Sequence, residues 1–279
     1  MPTADQQNLL GECLGLCSDA GNGKTSFAMQ GPQPIAMFCM DKAAHGTLPP
    51  NFPGYDPRLT FYTAYLPPDV DLTKDTMERD RTMFDKAKRD IQNIRDALKA
   101  KKPEFTLQSE KETWPLPKTI IFEGGDFLKS GLIDHYLRRH SKTSMSEFEG
   151  AAMSRWGDIG KEMVQILGDL TKLPAYHSVN VVVTLGWDHE NEGKERTGFF
   201  VPDFGGKLDT LGPRMFKDFW MPVSENGKFY MITSSTTRYT KYKGIRCGRF
   251  GLKAIEDVTL IPDKPVNQWN RLFGTPIAT

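Results

Sequence analysis

Four short runs constrain the fold more than anything else in this chain: ECLGLC at 12–17, IAMFCM at 35–40, KTIIF at 118–122 and VNVVVTL at 179–185. Each is apolar at nearly every consecutive position, so a strand made from it must be buried on both faces. The segments between them carry a helical period. Over 73–101, Met77, Phe84, Ala87, Ile91, Ile94 and Leu98 recur at spacings of seven, three and four in an otherwise charged stretch. Over 147–173, Met153, Trp156, Ile159, Met163, Ile166 and Leu170 make a second apolar face. Residues 127–140 also read as a helix, and KTSFAMQ reads as a short one stopped by Gly31-Pro32. Doubly buried strands alternating with helices predict an α/β fold, a mostly parallel sheet with helices on both faces.

Two later strands, at 219–223 and 228–234, flank Glu225-Asn226-Gly227, so an antiparallel C-terminal hairpin is predicted. Residues 59–62 suit another short strand. The polar stretch 186–207, with several glycines, reads as a loop, and the residues after Pro262 are weakly patterned. A length of 279 residues suits one large domain, read as a nucleotide-binding core over 1–250 followed by a tail over 251–279.

In an open parallel sheet, ligands sit at the carboxyl ends of the strands. Ser18, Asp41, Glu123 and Thr184 lie at or just beyond the ends of the four apolar runs. The first run leads into Ser18-Asp19-Ala20-Gly21-Asn22-Gly23-Lys24-Thr25, with Ser26 next. The phosphate-binding pattern is G-x-x-x-x-G-K-[ST] between a strand and a helix. Gly23, Lys24 and Thr25 match it, and Ser18 stands where the first glycine belongs. In such a loop the backbone N–H groups cradle phosphate oxygens, Lys24 would reach the outer phosphates, and the Thr25 hydroxyl would bind Mg²⁺. The plain alternative is an ordinary strand–turn–helix connection.

A magnesium–triphosphate site also needs an acid at a neighbouring strand end, holding a metal-bound water. Glu123 ends KTIIF in that position, and Asp126 could share the task. Asp41 could position an attacking water or could cap a turn. Thr184 could sense a terminal phosphate or bond to backbone. His189 fits an exposed loop histidine better than a functional one.

Charge and cysteine usage narrow the rest. Thirty-six basic against 35 acidic residues leave a net charge of +1, so a nucleic-acid surface would have to be local. From Ser234 to Lys253 the chain has basic residues and no acidic ones: Arg238, Lys241, Lys243, Arg246, Arg249 and Lys253, interleaved with Tyr239, Tyr242 and Phe250. Cations track a phosphate backbone and rings stack on unpaired bases, although a solvated basic loop has the same composition. Lys241 and Lys243 could alternatively reach a neighbouring subunit's triphosphate. Cys13, Cys17, Cys39 and Cys247 show no zinc or disulfide pattern, which fits a reducing cytoplasm. The N-terminal residues lack a signal peptide's basic and apolar regions, and no apolar run reaches ~18 residues, so no membrane association is expected.

Taken together, these residues resemble the RecA-core ATPases, closest to the short phage-encoded RecA-like proteins of recombination and single-strand annealing. The resemblance spans roughly 10–245. It rests on the phosphate loop, Lys118 to Glu123, the helix ending near 173 followed by Asn180 to Thr184, Gly205-Gly206-Lys207-Leu208, and the strand ending at Thr233 before the basic residues. It implies ATP and Mg²⁺ as cofactors, single-stranded DNA as partner, and a homo-oligomeric ring or filament with ATP between subunits, in the host cytoplasm if phage-encoded. In RecA the second strand is followed by Asp-Ala-Glu, whose Glu acts on the attacking water. Here the tripeptide is Asp41-Lys42-Ala43, so the Asp matches and the Glu is missing, which implies slow hydrolysis. The Lys-x-Lys pair that acts across the RecA interface is matched in spacing by Lys241-Tyr242-Lys243.

Overall fold

A computed structural model of the chain describes residues 11–40, 48–49, 51–65, 83–107, 111–142, 144–148, 152–192, 195–204, 208–249, 251–261 and 264–274. Asp41 to Ala43, Gly205 to Lys207, Phe250 and the first part of the helix expected over 73–101 lie outside these residues.

The elements run in the order β1 (Cys13–Cys17), α1 (Lys24–Ala28), β2 (Ile35–Cys39), β3 (Thr60–Ala64), α2 (Met83–Lys99), β4 (Glu104–Thr106), β5 (Thr113–Pro115) and β6 (Thr119–Glu123). Then follow α3 (Gly125–Arg139), α4 (Ala152–Tyr176), β7 (Asn180–Leu185), β8 (Trp187–Glu192), β9 (Glu195–Pro202), α5 (Leu208–Leu211), β10 (Asp218–Glu225), β11 (Lys228–Ile232), β12 (Ile255–Asp257) and α6 (Gln268–Phe273). The main sheet has eight strands in the order β12-β11-β10-β1-β7-β6-β2-β3. From β3 to β10 every neighbouring pair is parallel, while β10–β11 and β11–β12 are antiparallel. The molecule is thus α/β with a large, mostly parallel sheet, as the apolar runs predicted.

Alternation along each strand sorts the sheet into two covered faces. Cys13, Cys17, Phe38, Ile120, Phe122, Val181 and Val183 pack under α2, α3 and α4. Leu14, Leu16, Ile35, Met37, Ile121, Val182 and Trp220 pack on the other side, against Phe27 of α1 and Trp269 and Leu272 of α6. Burial of each such side chain stabilises the fold by about 1.5–3 kcal/mol relative to exposure. In α2, Phe84, Ala87, Ile91, Ile94 and Leu98 are all buried, as their spacing requires. In α4, Ile159, Met163, Ile166 and Leu170 are buried, but Trp156, assigned to the same face, is 42% exposed.

Three sequence expectations need correcting. The polar stretch expected as a loop over 186–207 instead carries the antiparallel β8–β9 hairpin, irregular between His189 and Asn191. It lies outside the main sheet, so most of it needs no apolar alternation. A second small hairpin, β4–β5, lies between α2 and β6, where the sequence predicted no strand, and buries Phe105 and Trp114. The residues after 250 are not a separate tail: β12 extends the sheet and α6 closes one core. The β10–β11 hairpin turns through Asn226 at φ 52° and Gly227 at φ 73°, the left-handed pair that Asn-Gly favours. Among the described residues, no helix is long and apolar enough to cross a membrane.

Candidate functional site

The connection leaving β1 runs over β7 and β6 to reach β2, whereas the chain leaving β7 returns past β1 to β10. Neighbouring strands whose exits diverge leave a crevice at their carboxyl ends, the usual ligand position of an open sheet. Here the crevice is a cleft of about 570 Å³ lined by Ser18 to Ser26, Glu123, Gly124, Asp126, Phe127, Thr184 to Trp187 and Phe229. Its size falls within the range of small-molecule sites.

The glycine-containing loop forms its floor. Gly21 and Gly23 both take φ +79°, a left-handed conformation that a Cβ strains. Ser18 does not occupy that region, so serine at the first position needs no unusual backbone, and its N–H donates to Leu185 O at 3.1 Å. The loop is fixed from the opposite side as well. Ser224 N donates to Asn22 Oδ1 at 3.0 Å, and a Cβ at Gly23 would lie 3.1 Å from the Phe229 ring. The helix behind the loop, α1, has only five residues and no side-chain cap at Gly23. So short a helix adds little dipole, and attraction for an anion rests on the loop N–H groups and Lys24.

Lys24 folds over the loop, its Nζ donating to Ser18 O at 2.6 Å and Asp19 O at 3.0 Å. The ammonium therefore sits at the rim of the cradle, within reach of an oxyanion placed there. Thr25 Oγ1 donates to Glu123 Oε1 at 2.9 Å, joining the start of α1 to the end of β6. Two oxygen-bearing groups from separate elements thus converge on the cleft floor. A Mg²⁺ ion is ordinarily held by one or two such protein groups together with phosphates and waters. Among the described residues, no set of three His, Cys, Asp or Glu side chains forms a self-sufficient metal site. Asp126 also lines the cleft, from the first turn of α3.

Thr184 is fully buried, and its hydroxyl accepts a hydrogen bond from Gly124 N at 3.1 Å, tying β7 to the chain after β6. The backbone bond read from the sequence is thus present, and Thr184 also lines the cleft. His189 packs its ring on Phe200 with centroids 4.8 Å apart, away from the cleft lining.

The basic segment is less free than its composition implies. Arg238 pairs with Glu225 at 2.8 Å, Lys243 with Glu190 at 2.7 Å, and Arg249 with Asp218 at 2.9 Å and with Glu12. Tyr239 is buried and donates to Glu225 Oε1 at 2.8 Å, so its ring offers no stacking surface. The Tyr242 ring stacks on Phe200 at 5.0 Å and approaches Trp187 at 5.2 Å. Burial, and after it the Asp19 carboxylate, pushes the Tyr242 phenol above its usual range. Lys241-Tyr242-Lys243 therefore lies alongside the β8–β9 hairpin, near the loop that contains Asp19. Neither lysine lines the cleft.

Phe127, Trp187 and Phe229, the aromatic walls of the cleft, escaped the sequence reading. Trp187 was legible in principle, two residues past a strand end. Phe229 was not, because it starts an antiparallel strand that only the hairpin turn brings back to this edge. No protein-family model matches the chain, and no curated protein matches it.

Proposed function

We propose that the protein binds ATP with Mg²⁺ in this cleft and is a RecA-like ATPase acting on single-stranded DNA in recombination, annealing or replication. The observation that carries the reading is the Thr25–Glu123 hydrogen bond, which sets a hydroxyl and a carboxylate together beside the cradle that Lys24 overhangs. Support also comes from the cleft lying where adjacent strands diverge, and from Gly21 and Gly23 adopting left-handed backbone, the kind of turn from which anion-binding concavities are built. In this reading Lys24 neutralises the outer phosphates, Thr25 contacts the metal directly, and Glu123 holds it through water. The chain assembles as a homo-oligomer, and Lys241 or Lys243 acts on the triphosphate of the adjacent subunit. Lys243 would first have to leave Glu190.

A second reading is a nucleotide-gated assembly module that does not turn ATP over. It is favoured by Ala43 at the position of the usual catalytic Glu and by the pairing of Lys243 with Glu190.

Phosphate release with and without single-stranded DNA separates the two. DNA-stimulated turnover that drops on replacing both Lys241 and Lys243 with Ala, with nucleotide affinity kept, supports the ATPase. Absence of turnover leaves the gated module, and turnover unaltered in the double variant removes the trans-acting role.

Glu123→Gln keeps an acceptor for the Thr25 hydroxyl but removes the charge. It should weaken Mg²⁺ by about 10- to 100-fold, the usual effect of losing an outer-shell metal partner. Nucleotide binding titrated against Mg²⁺ reads this directly. An unshifted Mg²⁺ midpoint would take Glu123 out of the metal site.

A further inference from the structure

The cleft has two unlike ends. Glu123 ends β6 and Asp126 follows it, and Trp187 and Phe127 stand on the same side, after β7 and β6. If a triphosphate lies in the loop with its metal at Thr25 and Glu123, its terminal phosphate faces that side. The nucleoside must then leave toward the opposite side, where β10 and then β11 lie beyond β1. Of the three aromatic rings lining the cleft, only Phe229 belongs to that end.

Phe229 is built in firmly. Its N–H donates to Thr259 Oγ1 at 2.8 Å, and its carbonyl accepts from Val258 N at 2.9 Å and from the Thr259 hydroxyl at 3.2 Å. The ring is half-buried, resting on Gly23 and exposing its remainder to the cleft. Around it, the described lining offers little that reads a base edge. The side-chain Oδ1 of Asn22 is taken by Ser224 N, and Ser26 belongs to the helix start beside the phosphate positions. An aromatic ring stacks on any base because every base has a π face, whereas discrimination requires hydrogen-bonding groups.

We propose that Phe229 is the nucleoside-contacting wall of the cleft, so that the site accepts nucleoside triphosphates with little preference among bases. The inference rests on the nucleotide reading above and adds the residue that sets its specificity.

Calorimetric titration of ATP, GTP, CTP and inorganic tripolyphosphate, each with Mg²⁺, tests it on wild type, Phe229→Ala and Phe229→Leu. Leucine retains apolar packing on Gly23 and removes the π face, so it serves if the alanine variant folds poorly. In wild type the three nucleotides should bind within about tenfold of one another. Either variant should weaken all three by about tenfold, toward the affinity of tripolyphosphate, and leave tripolyphosphate unchanged. Equal weakening of tripolyphosphate would make Phe229 only a prop for the loop and overturn the proposal. So would unaltered nucleotide affinity, or strict selection of one base by wild type. Wild type that binds neither nucleotide nor tripolyphosphate would overturn the nucleotide reading itself, and the inference with it.

Discussion

Lys24→Ala protein will bind Mg-ATP at least about 30-fold more weakly than wild type while melting at nearly the same temperature. The Lys24 ammonium is held over the loop by Ser18 O and Asp19 O at 2.6 and 3.0 Å, and in the proposed function it exchanges those carbonyls for phosphate oxygens. Truncating one member of a hydrogen-bonded charge pair at a binding site costs about 2–5 kcal/mol, and each 1.4 kcal/mol is about tenfold in affinity. The folded chain loses much less. Lys24 packs only partly into the protein, its bond to Asp19 O is exposed, and alanine is a good helix former at the start of α1. Stability should shift by no more than about 0.5–1 kcal/mol. Titration with a fluorescent nucleotide, beside a melting curve, separates the two effects. Equal affinity in both proteins would remove the phosphate-loop assignment, and a collapsed melting curve would mean that Lys24 is structural.

The sequence carried the centre of this fold and lost its margins. Ile120, Ile121 and Val181 to Val183 are buried because strands inside a covered parallel sheet have no solvent face, and that requirement writes a continuous apolar run. The loop from Ser18 to Thr25 was legible because its backbone demands glycine at positions 21 and 23, and because lysine and a hydroxyl follow. The β8–β9 hairpin was illegible because Asp188, His189, Glu190 and Asn191 alternate with nothing apolar. Its hold on the molecule comes from Phe200 stacking on Tyr242 and Lys243 reaching Glu190, partners more than forty residues away. The basic segment was over-read for a related reason. Counting charges between 234 and 253 does not reveal that Glu225, Glu190, Asp218 and Glu12 fold back onto them. Local composition reports a side chain's chemistry, while its availability depends on residues distant in sequence.

The C-terminal segment is where that principle has its largest energetic consequence. Residues 264–274 have weak patterning because α6 is short and presents only Trp269, Leu272 and Phe273 to the core. Trp269 is nonetheless 2% exposed, with its ring centroid 6.0 Å from Phe27 of α1 and 4.3 Å from Phe273, which in turn stacks on Trp220 at 5.3 Å. Gln268 N donates to Gln30 Oε1 at 2.8 Å, and Asn267 Nδ2 donates to Gln30 O at 3.1 Å, so α6 is bonded to the chain immediately after α1. Trp269→Ala should therefore destabilise the protein by about 3–5 kcal/mol, the usual cost of emptying a buried tryptophan site. For a domain of this size that corresponds to a fall in melting temperature of roughly 10 °C. Because α1 begins with Lys24 and Thr25, the loosened helix should also weaken Mg-ATP, and saturating nucleotide should recover part of the lost stability: about 2.7 kcal/mol at a hundredfold excess over Kd. A detachable tail would behave otherwise. If Trp269→Ala leaves the melting temperature unchanged, α6 does not close the core and the helix behind the phosphate loop is held by the sheet alone. If the melting temperature falls but nucleotide recovers none of it, the core assignment stands and the link from α6 through α1 to the cleft does not.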